Sequence, residues 1–328
     1  MSETTFTNMG LDDGTDRSFS SSAECIKLQE FLAACRATAP QNSISAMAVG
    51  KLIGVLVLLQ CSAGIMGAGL RSSIIGGENA TKGKWPWLVY LNIKTDNGLK
   101  KWHCSGTIVN NNWVLTAGRC WDDELWSRWD RTGVWVGTYE LEMPSERYMH
   151  VKRVIRPNDF RAVGYGYVND IALIQLNKTL KFSKNVAAVK LPKEEDTFDS
   201  SSECWITGWG DVGKDPLSAP GILQQVKISI LPPADCTGTY PDIVQSNNNV
   251  KMVCAGDPAG GKDACHGDYG DPLMCNTGRG YVQVGIMSFG SPDGCGIQGR
   301  PSIYTHVSSY MGYINAYTRL GSEDSAEA

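Results

Sequence analysis

One loop of the chain reads Gly261-Lys262-Asp263-Ala264-Cys265-His266-Gly267-Asp268-Tyr269-Gly270-Asp271-Pro272-Leu273. It is rich in glycine, carries a cysteine and acidic residues, and ends in an apolar pair. Glycine lets the backbone turn tightly and approach other groups closely, because it has no side chain beyond hydrogen. A loop of this composition is suited to hold several backbone N–H groups around one side chain. We therefore place a candidate site here.

The segments around this loop are short, apolar and separated by Gly, Pro, Asn and Asp, which is typical of β-strands joined by turns. Strands predicted in this way include Leu88–Ile93, Thr107–Val109, Trp113–Thr116, Val134–Val136, Ile171–Leu176, Leu223–Ile230, Tyr281–Ser288 and Ile303–Val307. Regular spacing without helical patterns between them predicts an all-β barrel or sandwich. Near the end of the chain, Tyr310, Tyr313, Ile314 and Tyr317 recur at helical spacing and predict a C-terminal helix.

Composition limits the class and the compartment of the protein. The 328 residues are 42% hydrophobic and 20% charged, enough for one large or two small domains. A net charge of −4 favours neither nucleic acid nor an anionic membrane surface as a partner. Eleven cysteines indicate an oxidising compartment. Eight of them, from Cys104 to Cys295, form an even set, but their spacing alone does not determine how they pair. No histidine pair or Cys-x-x-Cys grouping predicts a metal, and no cofactor is expected.

The glycine-rich loop resembles the nucleophile loop of the chymotrypsin- and trypsin-like serine proteases (peptidase family S1), which reads Gly-Asp-Ser-Gly-Gly-Pro-Leu. The matching residues run from Gly267 to Leu273, and the resemblance as a whole covers Ile74 to Leu320. Other similar segments are Lys84-Trp85-Pro86-Trp87, Cys204-Trp205-Ile206-Thr207-Gly208-Trp209-Gly210-Asp211-Val212 and Arg300-Pro301-Ser302-Ile303-Tyr304-Thr305.

This resemblance implies a fold and a disulfide pattern. We expect two packed antiparallel six-stranded β-barrels with a cleft between them, barrel 1 at about 88–188 and barrel 2 at about 189–307. The C-terminal helix is expected to dock on the second barrel. The implied disulfides are Cys104–Cys120, Cys204–Cys275, Cys236–Cys254 and Cys265–Cys295.

Two of the three catalytic positions of the family differ in this chain. The family uses a serine nucleophile, a histidine base and a buried aspartate that orients the base. Tyr269 stands at the nucleophile position, and Arg119, in Leu115-Thr116-Ala117-Gly118-Arg119-Cys120, stands at the base position. Arginine stays protonated and cannot accept a proton, and a phenol is almost wholly neutral at neutral pH. Asp170 matches the retained acid, and we expect it to form an ion pair with Arg119.

The remaining histidines do not fill the base position. His103 and His266 are expected to border the cleft, as rim or core side chains. Asp271 stands where the family has a glycine and adds an acid to the loop.

The binding apparatus of the family is better preserved. Gly267 matches the oxyanion-hole position, and Asp263 matches the acid at the floor of a trypsin-like specificity pocket. An acid at this place implies affinity for basic peptide side chains, with arginine able to bind bidentately; the alternative is an inherited loop acid without a ligand. Ser288 and Gly290 match the pocket wall. Ser302 stands where a pocket glycine is expected, which implies a narrower pocket.

The N-terminal part of the chain predicts targeting. Residues 1–46 are rich in Ser, Thr and Ala and predict a disordered extension. Residues 47–64 contain a basic residue, an apolar run and small residues, the pattern of a signal peptide if translation starts at Met47. If translation starts at Met1, residues 52–70 could instead form a signal anchor. Either alternative places the following domain outside the cytosol. Residues 321–328 predict a polar, acidic tail.

Residues 65–73 are expected to be a short propeptide. Ile74-Ile75-Gly76-Gly77 resembles the activation junction of the family, where cutting frees an N-terminal ammonium that pairs with the acid before the nucleophile, here Asp268. Ser73 stands where a basic residue is usual, and Arg71 lies two residues upstream of it, an arrangement similar to that of mast-cell tryptases. The alternative is that the chain is never cut and stays zymogen-like.

Together these features predict a secreted, tryptase-like serine protease homologue, a pseudoenzyme that binds peptides, inhibitors or protease partners. One alternative is an active trypsin-like serine endopeptidase that cleaves after Arg or Lys, and another is a subunit of a multimeric protease assembly. Asn79 and Asn177 fit the acceptor pattern for N-glycosylation and predict a glycoprotein. Membrane association is expected only if residues 52–70 remain as an anchor.

Overall fold

The computed structural model describes residues 74–95, 101–121, 127–142, 145–210, 221–246, 251–265 and 267–323. They all belong to the compact unit Arg71–Ala328. The expectations for residues 1–46, 47–64, 52–70 and 65–73, for His266 and for the tail beyond residue 323 lie outside the described residues. Within the described ranges, none of the helices has both the length and the apolar character needed to span a membrane.

The described residues form short strands and a few short helices. The strands are β1 (Glu78–Asn79), β2 (Leu88–Thr95), β3 (Lys101–Asn110), β4 (Trp113–Thr116), β5 (Ser127–Val136), β6 (Arg147–Ile155), β7 (Arg161–Val163), β8 (Gly166–Val168), β9 (Ala172–Leu176), β10 (Cys204–Gly208), β11 (Gln224–Ile230), β12 (Met252–Gly256), β13 (Pro272–Thr277), β14 (Gly280–Phe289) and β15 (Ser302–His306). The α-helices are α1 (Pro233–Thr239), α2 (Pro241–Ser246) and α3 (Met311–Glu323).

The first half of the unit is a closed antiparallel barrel. Its strands follow one another in the order β2-β3-β4-β9-β6-β5, and β5 returns to pair with β2. Side chains alternate between the interior and the surface because successive residues of a strand point to opposite faces. In β6, for example, Met149 and Val151 are buried in the barrel core, whereas Tyr148, which precedes them, is exposed.

The second half forms another closed barrel. Its strand order is β11-β10-β13-β14-β15-β12, the pairing of β12 with β11 closes the ring, and β1 adds to the free edge of β11. The expected all-β fold of two six-stranded antiparallel barrels is therefore confirmed. The four disulfides that the resemblance implied are also present: Cys104–Cys120, Cys204–Cys275, Cys236–Cys254 and Cys265–Cys295.

The C-terminal helix is present, but the barrel on which it docks was predicted wrongly. Ile314 of α3 is fully buried in the hydrophobic cluster built mainly by the first barrel. The Tyr313 hydroxyl donates a hydrogen bond to the Ile155 carbonyl of β6 at 2.8 Å. The reason lies in the 3₁₀ turn Val307–Tyr310, which follows β15 and buries its own apolar residues in that same cluster. The helix thus connects the end of the second barrel to the first.

Candidate functional site

The loop around Tyr269 lies where the two barrels meet. The Tyr269 carbonyl accepts a hydrogen bond from the Ser105 N–H of β3, and the Gly270 N–H donates to the Met287 carbonyl of β14, both at 2.9 Å. Gly267 and Gly270 have φ values of +91° and +86°, which side-chain-bearing residues rarely adopt. A Cβ on Gly270 would also lie only 2.1 Å from the Ser105 carbonyl oxygen. The path of the loop between the barrels therefore requires glycine at this position.

Arg119 reaches the site from the first barrel. It lies on the 3₁₀ turn Gly118–Trp121 that follows β4, next to the disulfide-bonded Cys120. Its backbone N–H donates a hydrogen bond to Asp170 Oδ1 at 2.7 Å. The backbone of Arg119, at the base position, is thus hydrogen-bonded directly to Asp170, the retained acid.

The guanidinium group of Arg119 lies between two tyrosine rings. Its Cζ atom is 3.7 Å from the ring centroid of Tyr269 and 4.5 Å from that of Tyr167. Its Nη1 donates a hydrogen bond to the Ser288 carbonyl oxygen at 2.5 Å. None of the ion pairs between described residues joins Arg119 to Asp170. The expected ion pair is therefore not formed, because the backbone contacts the carboxylate while the side chain extends to the rings.

Asp170 is buried and held by several donors. Besides the Arg119 N–H, the Ser288 hydroxyl donates to Asp170 Oδ2 at 2.5 Å, and the Thr305 hydroxyl donates to its carbonyl oxygen at 2.7 Å. Burial raises the pKa of Asp170 to about 6, although the positive charge of Arg119 and the hydrogen bonds act in the opposite direction. The preceding residue, Asn169, has a φ of +53°, so the backbone turns sharply just before the acid. This geometry fixes the carboxyl group beneath the Arg119 turn.

The arrangement restricts the chemistry of these positions. A guanidinium group is only a donor, so Arg119 cannot take a proton from a neighbouring hydroxyl. His103, expected as a rim or core side chain, is partly buried: its Nε2 lies 2.9 Å from the Gly210 carbonyl oxygen, and its ring stacks on Tyr90 at 5.5 Å between centroids. Arg119 and Tyr269 instead contact each other through a cation–π interaction.

Asp263 lies at the base of the expected specificity pocket and is only 2% exposed. Its Oδ1 accepts a hydrogen bond from the Ala264 N–H at 2.9 Å, and its Oδ2 accepts one from the Gly296 N–H at 3.1 Å. Burial raises the pKa of this carboxyl to about 6. Ser302 is fully buried, and a Cβ on Gly290 would lie 3.3 Å from its Oγ. The serine hydroxyl thus lies close to the pocket wall.

Ile74 and Asp268, the two residues expected to pair after activation, are both buried. Ile74 is fully buried in a core cluster of the second barrel, and Ile75 exchanges backbone hydrogen bonds with Asp263 at 3.0 and 3.2 Å. Asp268 is fully buried, and its Oδ2 accepts a hydrogen bond from the Cys265 N–H at 2.8 Å. Its Oδ1 meets no hydrogen-bond donor among the described residues, and burial raises the pKa of Asp268 to about 7. Cleavage before Ile74 stays a prediction.

Tyr167 is the residue of this site that the sequence did not reveal. It lies on β8, whose hairpin with β7 places its ring beside the Arg119 guanidinium. A strand of three residues is too short to give a periodic signal. The only hint was its position three residues before Asp170.

The other sites expected from the sequence lie on the surface or are not tested. Asn79 and Asn177 are both exposed, and the Oδ1 atom of Asn79 accepts a hydrogen bond from the Gln224 side chain at 2.8 Å. Their glycosylation stays a prediction. In the described part of the chain, no group of three or more His, Cys, Asp and Glu side chains is arranged to hold a metal ion.

Comparison with protein-family models gives a match to the family described as Trypsin, over residues 74–314. The matched range begins at the buried isoleucine of the second-barrel core and ends within α3. It includes both barrels and every residue of the site around Arg119 and Tyr269.

Proposed function

The chain belongs to the trypsin family, and we propose that it is a non-catalytic serine protease homologue. It acts by binding peptides, inhibitors or protease partners outside the cell. The sequence around the expected activation junction is similar to that of the mast-cell tryptases.

The stacking of Arg119 on Tyr269 is the observation that carries this proposal. In the family mechanism, a neutral histidine accepts the proton of a serine hydroxyl that attacks the substrate. Here the guanidinium lies 3.7 Å from the Tyr269 ring centroid and donates to the Ser288 carbonyl. In a related protease, loss of the nucleophile or the base lowers turnover by a factor on the order of 10⁶. The same loss is expected here.

Binding of basic groups at Asp263 is the form of recognition that the pocket supports best. A cation beside a buried carboxyl group favours its charged form and can make charge-assisted hydrogen bonds with it. Benzamidine, a small planar amidinium, is a suitable probe for calorimetric titration. We expect binding to the natural protein and none to the matched variant Asp263→Asn. Failure of both to bind would indicate that Ser302 closes the pocket.

Secretion is part of the proposal. The four disulfides support an oxidising compartment, where such bonds form and persist. Expression of the full chain in secreting cells, followed by N-terminal sequencing of protein from the medium, tests this. A first residue near Gly64 supports a signal peptide, a first residue at Ile74 supports further processing, and retention in the membrane supports an anchor.

The decisive test of the non-catalytic proposal is turnover of peptide substrates with Arg or Lys at the cut site. It uses the secreted domain with Ile74 as its first residue. The natural protein is compared with a variant that carries Arg119→His, Tyr269→Ser and Asp271→Gly together. We expect the natural protein to be inactive and the triple variant to cleave.

Each outcome of this comparison has a different meaning. Cleavage by the natural protein would refute the proposal and favour an active endopeptidase. Inactivity of both proteins would show that substrate binding, and not only the catalytic groups, differs from that of active family members. The partner would then have to be sought without reference to Asp263.

A further inference from the structure

Asp271 is the acid of the loop that the trypsin-like pattern lacks, since that pattern has glycine at its position. Its side chain is 1% exposed, and that of Asp268 is 0% exposed. The Asp271 N–H donates to the Asp268 carbonyl at 3.0 Å, so the two residues form one tight turn. Each carboxyl group acts on the pKa of the other, as expected for two side chains of one buried turn.

Among the described residues, the groups that act on the two carboxyl groups are polar or acidic, and none is a cation. The described groups that act on them are the Cys265 and Gly210 backbone, the Ser105 hydroxyl, the Asp263 carboxyl and the Tyr304 phenol. Within the described part of the chain, Asp268 Oδ1 and both carboxyl oxygens of Asp271 meet no donor at hydrogen-bond geometry. The Tyr304 hydroxyl, also fully buried, has no hydrogen-bond partner either.

The space around the pair is closely filled. A Cβ on Gly208 would lie only 1.7 Å from Asp271 Oδ2, so the Asp271 carboxyl packs directly on this glycine. Two negative charges at such short range in a buried place are strongly unfavourable. Burial accordingly raises the pKa of Asp271 well above its usual range, with the charge of Asp268 acting in the same direction. One proton between the carboxyl groups gives each a hydrogen-bond partner and leaves the pair with a single charge at most.

We propose that the proton shared by Asp268 and Asp271 takes the place of the Ile74 ammonium and so holds the loop 267–271 folded in the uncut chain. In the activation scheme implied by the family resemblance, the chain must be cut before Ile74, because the cut frees the ammonium that pairs with Asp268. In this chain the protonated Asp271 carboxyl donates to Asp268 without any cut. The inference goes beyond the proposed function, since it holds for a catalytic and for a non-catalytic protein alike.

Hydrogen exchange of the loop amides in the uncut and the cut chain tests the inference. The recognition sequence of a site-specific protease, placed immediately before Ile74, makes the full chain cleavable. Mass spectrometry then gives the protection factors of residues 267–271 at pH 6. In the natural chain we expect no change beyond about twofold on cutting, because the loop is already held.

Two substitutions separate the shared proton from other effects of the side chain. Asp271→Gly removes the donor, so protection in the uncut chain falls by about tenfold or more and returns on cutting. Asp271→Asn keeps a donor of nearly the same shape at every pH, so protection is retained without cutting. The inference is overturned if the uncut Asp271→Gly chain is as protected as the natural one, or if Asp271→Asn loses as much protection as Asp271→Gly.

The pH dependence of unfolding provides an independent check, also if Asp271→Gly does not fold. Both acids have raised pKa values in the folded state, to about 7 for Asp268, so the folded chain keeps protons that the unfolded chain releases above pH 4 to 5. The stabilisation is present in acid and is lost as pH rises. The melting temperature of the uncut natural chain should therefore fall from pH 5 to pH 8 by more than that of Asp271→Asn. Equal falls would overturn the inference.

Discussion

Replacement of Arg119 by alanine removes a cation that lies between two aromatic rings. The guanidinium is 3.7 Å from the Tyr269 centroid and 4.5 Å from the Tyr167 centroid, and each partly buried cation–π contact contributes about 1 kcal/mol. The hydrogen bond from its charged Nη1 to the Ser288 carbonyl adds about 1.5 kcal/mol. We therefore expect Arg119→Ala to lower the free energy of unfolding by about 3.5 kcal/mol.

A double-mutant cycle shows how much of this loss comes from the stack. Urea unfolding, followed by tryptophan fluorescence, is measured for Arg119→Ala, Tyr269→Ala and the double variant. We expect a coupling free energy of about 1 kcal/mol between the two side chains. Tyr269→Phe keeps the ring and should change the coupling little. Arg300→Ala, which removes an exposed arginine paired with Asp293 at 3.3 Å, serves as the control and should cost less than about 1 kcal/mol.

The reasoning is refuted if the two substitutions are additive within about 0.3 kcal/mol. It is also refuted if Arg119→Ala costs no more than the control. Either result would mean that the two rings do not hold the Arg119 guanidinium, so that the stacking of Arg119 on Tyr269 could not explain the loss of catalysis.

Two further predictions concern the acid and the loop of the same site. Ser288→Ala removes the hydroxyl that donates to Asp170, whose pKa is about 6 in the folded state, so unfolding at pH 8 should become easier by about 2 kcal/mol and at pH 5 by clearly less. Gly270→Ala, at a φ of +86° and with its Cβ 2.1 Å from the Ser105 carbonyl, should cost about 3 kcal/mol or more in urea unfolding, whereas Gly278→Ala, which has open space around it, should be nearly neutral.

The strands were predictable where their apolar residues contrast with the turns around them. The predicted strand Tyr281–Ser288 differs by a single residue at each end from β14, Gly280–Phe289. The predicted strand Thr107–Val109 covers only part of β3, which begins at Lys101. Lys101, Trp102 and His103 include a single apolar side chain, too few to predict a strand by themselves, and the pairing with β2 extends the strand to them.

The short helices and the docking of α3 depend on contacts that no local pattern contains. Helix α1 has seven residues and begins with Pro233, and α2 has six. Segments of this length are marginal as helices in water, and neighbouring structure must hold them. The helical spacing in α3 correctly predicted a helix. The choice between the two barrels was decided by the burial of Val307 and Tyr310 just before it.

At the site, the motif located Arg119 but could not give the direction of its side chain. Charge alone favoured the nearest acid, Asp170. The guanidinium instead binds to Tyr167, Tyr269 and Ser288, of which two lie about 150 residues or more away along the chain. Such a set of partners exists only after the barrels have packed. The backbone N–H of Arg119 already satisfies the acid, which leaves the side chain free to take these partners.

Arg119 and Asp271 stand where the family pattern has histidine and glycine. The chain accommodates these two ionisable side chains in different ways. A guanidinium group cannot give up its proton, so Arg119 must be stabilised as a cation, and two ring faces and a carbonyl oxygen do this. A carboxyl group can become neutral, so Asp271 needs no cation and instead shares a proton with Asp268. Arg119→His therefore acts mainly on the free energy of unfolding, and Asp271→Gly acts mainly on how that free energy depends on pH. Because Tyr269 supports the arginine, a serine introduced at that position alone would leave the guanidinium beside a hydroxyl without its ring partner. The repaired enzyme in the turnover test must for this reason carry Arg119→His together with Tyr269→Ser.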